Sequence, residues 1–320
     1  DIMIDKNINK AIKELSQIDD TLAFKYLVLD WLIVFITIFL AISYDSIIFN
    51  IVAIIIIGSR QHAIGILSHD VVHYRFLSNR KMNEFIGNVF IAFPLFITIP
   101  GFRSMHLRHH SKVNSEDDPD LVRRAGKSDW IFPMSKVKLY KMLLLDITGL
   151  NLYQNIQKIF LPKSDKKLRS DFKSLPKSFY VGQLSFYLVL CSLISYFGAW
   201  ENYFFYWIVP YFTWFKFTKR LRAIGEHFAI KDENYKELTR TTLVGFFEGH
   251  LISPHNINYH IEHHYNSSIP FYNLEKLHDI LINNGKLHEM GKVQIDGYLI
   301  GVLNETQGEC SLNVDSATFV

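Results

Sequence analysis

Eight of the chain's 14 histidines fall in three short boxes. The first is His69-Asp70-Val71-Val72-His73, the second His106-Leu107-Arg108-His109-His110, and the third His260-Ile261-Glu262-His263-His264. On a helix, positions i, i+3 and i+4 project from one side, so each box gathers its imidazoles on a single face. Packed imidazoles repel when protonated and lose hydration when buried, which makes a shared cation the natural explanation for eight of them. Imidazole suits iron, zinc, copper and nickel; a single structural zinc is usually filled by four ligands, so eight or more donors imply two ions. A zinc hydrolase needs about three protein ligands and an open position, which leaves the surplus unexplained, whereas a pair of redox irons would use it. The only carboxylates inside the boxes are Asp70 and Glu262. They are expected to accept the ring N–H groups of the ligating histidines and so fix tautomer and orientation, more than to bind metal directly. Cys191 and Cys310, the two cysteines, supply neither a thiolate metal site nor a disulfide framework.

The elements that must position these boxes read as membrane spans. At 49% hydrophobic and 15% aromatic residues the chain is too apolar to be disordered, and a formal charge of +3 gives no reason to invoke nucleic acid. Charge-poor windows run over residues 26–43 (with only Asp30), 46–67, 178–200 and 202–218. They pair into two hairpins through turns at Asp45 and Glu201. Those turns carry no Lys or Arg, while Lys112 to Lys177 and Lys216 to Arg222 are rich in them, so the positive-inside rule puts both ends of each hairpin in the cytoplasm. A fifth window, Phe85 to Phe102, contains Pro94 and Pro100 and separates the first two boxes. Those boxes can share a site only on one side of the bilayer, which favours an in-plane or re-entrant segment over a plain fifth span. The expected fold is an all-α integral membrane protein of about four spans capped by a cytoplasmic helical domain. Its parts are a cytoplasmic N-terminal segment (1–25), a membrane domain (26–285) whose cap is drawn from 68–177 and 219–285, and a C-terminal tail (286–320). Both termini are expected in the cytoplasm. No secretory signal pattern precedes the first span, and the start without Met reads as processed or trimmed.

The motif set, HxxxH, HxxHH and HxxHH in this order with spans in these intervals, resembles the membrane fatty acid desaturase and hydroxylase superfamily. The resemblance runs from about Arg60 to about His278. It takes in Arg75-Phe76-Leu77-Ser78-Asn79-Arg80, Asp117-Asp118-Pro119-Asp120, and the Asn258-Tyr259 lead into the third box, with Ile269-Pro270 beyond it. It implies two Fe ions facing the cytoplasm, O2 as co-substrate, and electrons from a ferredoxin- or cytochrome b5-type donor. It further implies a ninth ligand from the helix leaving the last span, which here reads Arg222-Ala223-Ile224-Gly225-Glu226-His227, so His227 is the candidate. Asn256, four residues before His260, resembles an asparagine that some members place near one iron. The implied chemistry is hydrogen abstraction from an unactivated C–H bond. A second abstraction gives an alkene, the favoured outcome, and oxygen rebound gives an alcohol. The expected function is thus an O2-dependent desaturase acting on an acyl chain or other lipid-like substrate. The alternative is a hydroxylase or ketolase of a lipid, carotenoid or small amino-acid-derived metabolite.

Other residues have weaker claims. His62 can share the face of His69 but is expected to be a satisfied core or supporting histidine, and His255, beside Pro254, a cap or turn residue. His278 and His288 are expected in solvent, with substitution of His62 or His278 leaving activity substantially intact. The run Glu116 to Asp120 is equally compatible with orienting ligands or guiding a donor and with turn-and-cap chemistry around Pro119. Arg103, Arg108, Arg222 and Glu226 are expected in ion pairs. The basic residues from Lys136 to Lys177 suit a membrane-facing surface, and an acidic ferredoxin would be drawn to the same patch. Two rivals make different demands: a zinc-dependent membrane hydrolase predicts one zinc and no reductant, and a metal transporter predicts ligands inside the spans.

Overall fold

A computed structural model describes residues 2–124, 126–151, 175–230 and 239–307. The lysine-rich stretch 152–174 and the last part of the expected tail, 308–320, lie outside the described residues. Helix α1 (Ile2–Leu15) precedes α2 (Asp20–Tyr44), which starts where the Asp19 carboxylate accepts the Leu22 N–H. Asp45, in the left-handed region at φ 38°, turns the chain into α3 (Ile47–Val72), which packs against α2 along its length. Twenty-six residues give α3 a length of about 39 Å, longer than the roughly 30 Å hydrocarbon core. One uninterrupted helix is therefore long enough to cross the apolar layer and still carry His69 and His73 beyond it. The expected span 46–67 stopped where the composition turns polar, but the backbone hydrogen bonds run on to Val72.

Between the first two boxes the chain is broken. Helix α4 (Arg80–Ile86) passes into a π-turn (Gly87–Ala92) and a 3₁₀ turn (Phe93–Leu95), Phe96 adopts a left-handed φ of 59°, and α5 (Ile99–Lys112) leaves at 90°. Pro94 and Pro100 sit at the starts of their pieces, where no N–H is required. The carbonyls this break releases are each satisfied from elsewhere. Tyr187 Oη donates to Phe93 O, Trp207 Nε1 to Pro94 O and Tyr211 Oη to Leu95 O, all at 3.0 Å. Apolar surroundings demand this, because no water is there to take the bonds.

Helix α6 (Lys136–Ile147) lies against the later helix α8, and α7 (Lys177–Tyr196) is the third long apolar helix. Among the described residues three helices are long and apolar enough to cross a membrane: α2, α3 and α7. The fourth expected span, 202–218, needs correcting. The chain is helical from Trp200 to Phe212, passes through a π-turn at Phe204–Ile208, and breaks at Thr213 before α8 (Trp214–His227). Pro210, which cannot donate to the helix ladder, sits between the π-turn and the break.

Beyond α8 come α9 (Phe246–Leu251), α10 (His260–Tyr265), and α11 (Leu274–Asn283). The all-α expectation also needs a small correction. Strands β1 (Arg240–Thr242) and β2 (Lys292–Gln294) pair in parallel, Thr241 opposite Val293. Residues 286–307, expected as the start of a tail, are part of the core. Tyr298, Val302 and Leu303 are buried against Leu221 and Ile224 of α8, and the ring of Tyr298 fills the space left open at Gly225.

Candidate metal centre

Four helices deliver the histidines: α3 and its C-cap (His69, His73), α5 (His106, His109, His110), the end of α8 (His227), and α10 (His260, His263, His264). The nine gather into two groups that can each hold a metal ion. One contains His69, His73, His106, His110 and His263; the other contains His109, His227, His260 and His264. Within each group the ligand nitrogens all lie within 4.8 Å of one another. Each HxxHH box is divided between the groups. Helix α5 sends its i, i+4 pair to the first and its i+3 residue to the second, while α10 does the reverse.

The contacts inside the groups test whether a cation fits. In the first, the Nε2 atoms of His73 and His106 are 2.9 Å apart, those of His106 and His110 3.0 Å, and those of His110 and His263 2.7 Å. In the second, His227 and His260 are 2.8 Å apart and His260 and His264 3.1 Å. An imidazole nitrogen offers one hydrogen or one lone pair, so His106, His110 and His260, each touching two other Nε2 atoms, cannot satisfy both contacts by hydrogen bonding. Nitrogens bound at about 2.1 Å to one ion and about 90° apart would be about 3 Å from each other, which matches. His69 Nε2, buried, has no hydrogen-bond partner. Burial, then Arg75 and Arg103, pushes His73 down to about 4; burial, then His73 and His109, pushes His110 down to about 3. Burial and neighbouring imidazoles hold His263 and His264 well below the usual range. These rings are neutral at pH 7, the form that binds metal.

The carboxylates that support the rings are not the expected ones. Asp118 accepts from His109 Nδ1 at 2.9 Å, and Glu226 Oε1 stands 3.4 Å from His260 Nδ1, close enough for charge attraction though not aligned for a hydrogen bond. At His109 burial acts downward, but the Asp118 hydrogen bond and the charges of Asp120, Asp118 and Glu226 outweigh it and raise the pKa. Asp118 also accepts the Asn114 and Asp120 N–H groups, so both readings of the acidic run apply: it caps the turn and it orients a ring. Asp70 is instead occupied by the Phe271 N–H at 3.0 Å, and Glu262 by Thr241 Oγ1 at 2.5 Å and by His278 Nδ1. Both carboxylates staple helices together and leave the ligand rings alone.

The remaining candidates divide. His62 is in neither group; it is buried edge-on to Phe215, a core histidine outside the clustered set. His278, expected in solvent, is buried against Glu262, as the apolar stripe of α11 turns it inward. Asn256 directs its amide to Phe271 O at 3.3 Å, and His255 holds Asp30 at 2.7 Å; both have left-handed backbones. The expected ion pairs form: Arg222 with Glu226 at 2.6 Å, Arg103 with Glu84, and Arg108 with Asp117 at 4.0 Å. Asp30, the one charge in the first expected span, is buried between Arg60 and His255. These three, with Asn256, line a cleft of about 460 Å³ edged by Leu29, Ile33 and Phe246. Composition alone did not reveal this triad, although a lone acid in an apolar helix is a standing sign of a buried partner.

Comparison with known proteins agrees with this geometry. The dihydrorhizobitoxine desaturase of Bradyrhizobium elkanii is 25% identical over 293 residues, covering 87% of this chain and 80% of that protein. A chloroplastic omega-6 fatty acid desaturase of Glycine max is 24% identical over 294 residues, 89% of this chain and 68% of its own. An sn-1 oleoyl-lipid 12-desaturase of Anabaena variabilis is 24% identical over 251 residues, 73% and 69% of the two chains. Each is a named desaturase, hence an oxidoreductase. The fatty acid desaturase family model matches residues 45–294, a span that begins at the turn into α3 and ends with β2, taking in all nine clustered histidines, and the chain therefore belongs to the fatty acid desaturase family.

Proposed function

We propose that the protein is an O2-dependent di-iron membrane desaturase that introduces a double bond into an acyl chain or similar lipid-like substrate. The observation that carries this reading is the convergence of nine imidazoles into two groups with contacts of 2.7–3.1 Å between neighbouring nitrogens. His69, His73, His106, His110 and His263 would hold one iron, and His109, His227, His260 and His264 the other. When bound, the irons supply reductive O2 activation and removal of hydrogen from an unactivated C–H bond. The chain's own residues do the positioning. Asp118 fixes the tautomer of His109, Glu226, its pKa raised by burial against the opposing pull of its Arg222 partner, stands beside His260, and the Phe102 ring packs on His106.

Desaturation is favoured over hydroxylation because the three relatives are all named desaturases. Electrons would come from a ferredoxin- or cytochrome b5-type donor. The contact of His73 with His106 supports the re-entrant reading, since the chain between them leaves from and returns to one place. With positive loops inside, the histidines, the cap (68–177 and 219–285) and both termini would face the cytoplasm. A second reading, a small polar metabolite as substrate, draws on the Bradyrhizobium relative's name and on the charged floor of the 460 Å³ cleft. Elemental mass spectrometry on protein from iron-supplemented cells tests the main reading. About two irons per chain, with an alkene product in lipid extracts, is the expected result. One tightly held zinc that does not exchange for iron would overturn it.

A further inference from the structure

Helix α6 has two apolar faces, and among the described residues only one is covered. Leu139, Met142, Leu143 and Asp146 are buried against α8, where Asp146 pairs with Lys216 at 3.0 Å and with Arg220. About a third of a turn away, Val137, Tyr140, Leu144 and Ile147 repeat at i, i+3, i+7 and i+10 and, with Leu150, form a stripe whose exposures run from 38% to 79%. Water does not favour four large apolar side chains in one line on a helix this short, with a fifth, Leu150, just past its end. Lys136, Lys138 and Lys141, all exposed, flank the stripe.

Contacts set the depth of this stripe. Gly149, just past the end of α6 at φ 71°, abuts the chain where the last apolar segment breaks. A Cβ added there would lie 3.2 Å from Thr213 Cγ2 and 3.6 Å from Phe212 O. On the same level, Trp214 Nε1 donates to Ser59 Oγ at 2.8 Å, and both Trp214 and Ser59 donate to Leu251 O. That bond places α9 at this height as well, and its Phe246 and Phe247 are 72% and 76% exposed. Apolar residues of α6 and of α9 are thus bare on elements that both pack at the Thr213–Trp214 break.

We propose that α6 lies in the plane of the bilayer, its Val137-to-Leu150 stripe sunk among the acyl chains of the leaflet nearest the histidines and its three lysines bound to anionic lipid headgroups. An apolar stripe edged by lysines, on a chain with three helices long and apolar enough to cross a membrane, selects a lipid surface over a protein partner. The lysines at the edges of the stripe have the arrangement that holds a helix at a charged interface.

The test uses the full chain in nanodiscs, with Cys191→Ser and Cys310→Ser as background and a bimane label at Leu144→Cys. Val137→Cys reports the same stripe independently, in case the first variant folds poorly. Lys13→Cys, on the exposed side of α1 beyond the histidine-bearing end of α2, is the comparison site. With lipids carrying a nitroxide near the headgroup end of the acyl chain, quenching at 144 and 137 is expected to exceed that at 13 by at least about two-fold. It should be stronger in phosphatidylglycerol than in phosphatidylcholine discs, and that lipid dependence should vanish when Lys136, Lys138 and Lys141 are all changed to Gln. Quenching at 144 and 137 no greater than at 13 overturns the proposal and leaves the stripe to a protein such as an acidic electron donor. Deep quenching that is indifferent to lipid charge overturns the headgroup assignment.

Discussion

The five- and four-histidine groups draw on the same two HxxHH boxes yet are unequal. Beside the boxes, α3 brings an i, i+4 pair to the first group, whereas α8 brings only His227 to the second; four residues before it stands Ala223, which has no donor. Their surroundings differ in sign. Arg75 and Arg103 lie near His73, while Asp118, Asp120 and Glu226 surround His109. A position left open within an acidic wall suits an ion that must take up an outside ligand and carry charge; a fuller set near guanidinium groups suits one that does neither. The HxxHH spacing is therefore more than a clamp. On one helix it serves two groups that could each hold an ion, the i, i+4 pair joining one and the i+3 ring reaching the other.

The sharpest way to break this comparison is to remove one donor from each group. His260→Ala leaves three rings, and iron is expected to fall from about two per chain to about one; His73→Ala leaves four, and both ions should stay. Equal losses in the two, by elemental analysis, would erase the distinction. His109→Ala and His263→Ala are expected to abolish turnover with membrane insertion intact. Next in size is the staple behind the third box. His278→Ala strands Glu262 as a buried, half-partnered acid and is expected to cost about 3–5 kcal/mol, seen as a lowered unfolding temperature, before either group is touched directly. A thermal scan matching the unmodified protein would return His278 to the surface. Asp118→Asn is expected to weaken iron binding at the four-histidine group by about 10–100-fold and to spare the other group, read by chelator competition. Tyr211→Phe, remote from both, should cost about 1 kcal/mol and leave iron content unchanged.

Much of this arrangement was legible from the chain alone because imidazole spacing and charge-free length are local signals. The three boxes, the C-terminal end of α2 at Tyr44 and the placing of His227 beside the boxes follow from short windows or from family resemblance, whereas α2 begins six residues before the apolar window does. What was not legible depends on partners distant in sequence. Asp70 and Glu262 sit inside boxes and look like ring supports, but Phe271 and His278 claim them after the chain folds. Asp118 could be read two ways because capping and orienting use different oxygen lone pairs of the same carboxylate. The break at Thr213 and the three-residue strands leave no periodicity to detect, and the pairing of Asp30 with Arg60 and His255 joins residues up to 225 positions apart.

The broken segment between the first two boxes also dictates an order of assembly. Its carbonyls at Phe93, Pro94 and Leu95 are met by donors 94, 113 and 116 residues further along. While the chain is being synthesised, those donors do not yet exist when the first hairpin and the broken segment reach the membrane. Phe93 O is held at once by the Phe96 N–H, but the carbonyls of Pro94 and Leu95 must wait for Trp207 and Tyr211. The first two boxes already carry His69, His73, His106 and His110, four of the five donors of one group, so the later apolar helices latch the broken segment in place, while the four-histidine group waits for His227 and the third box.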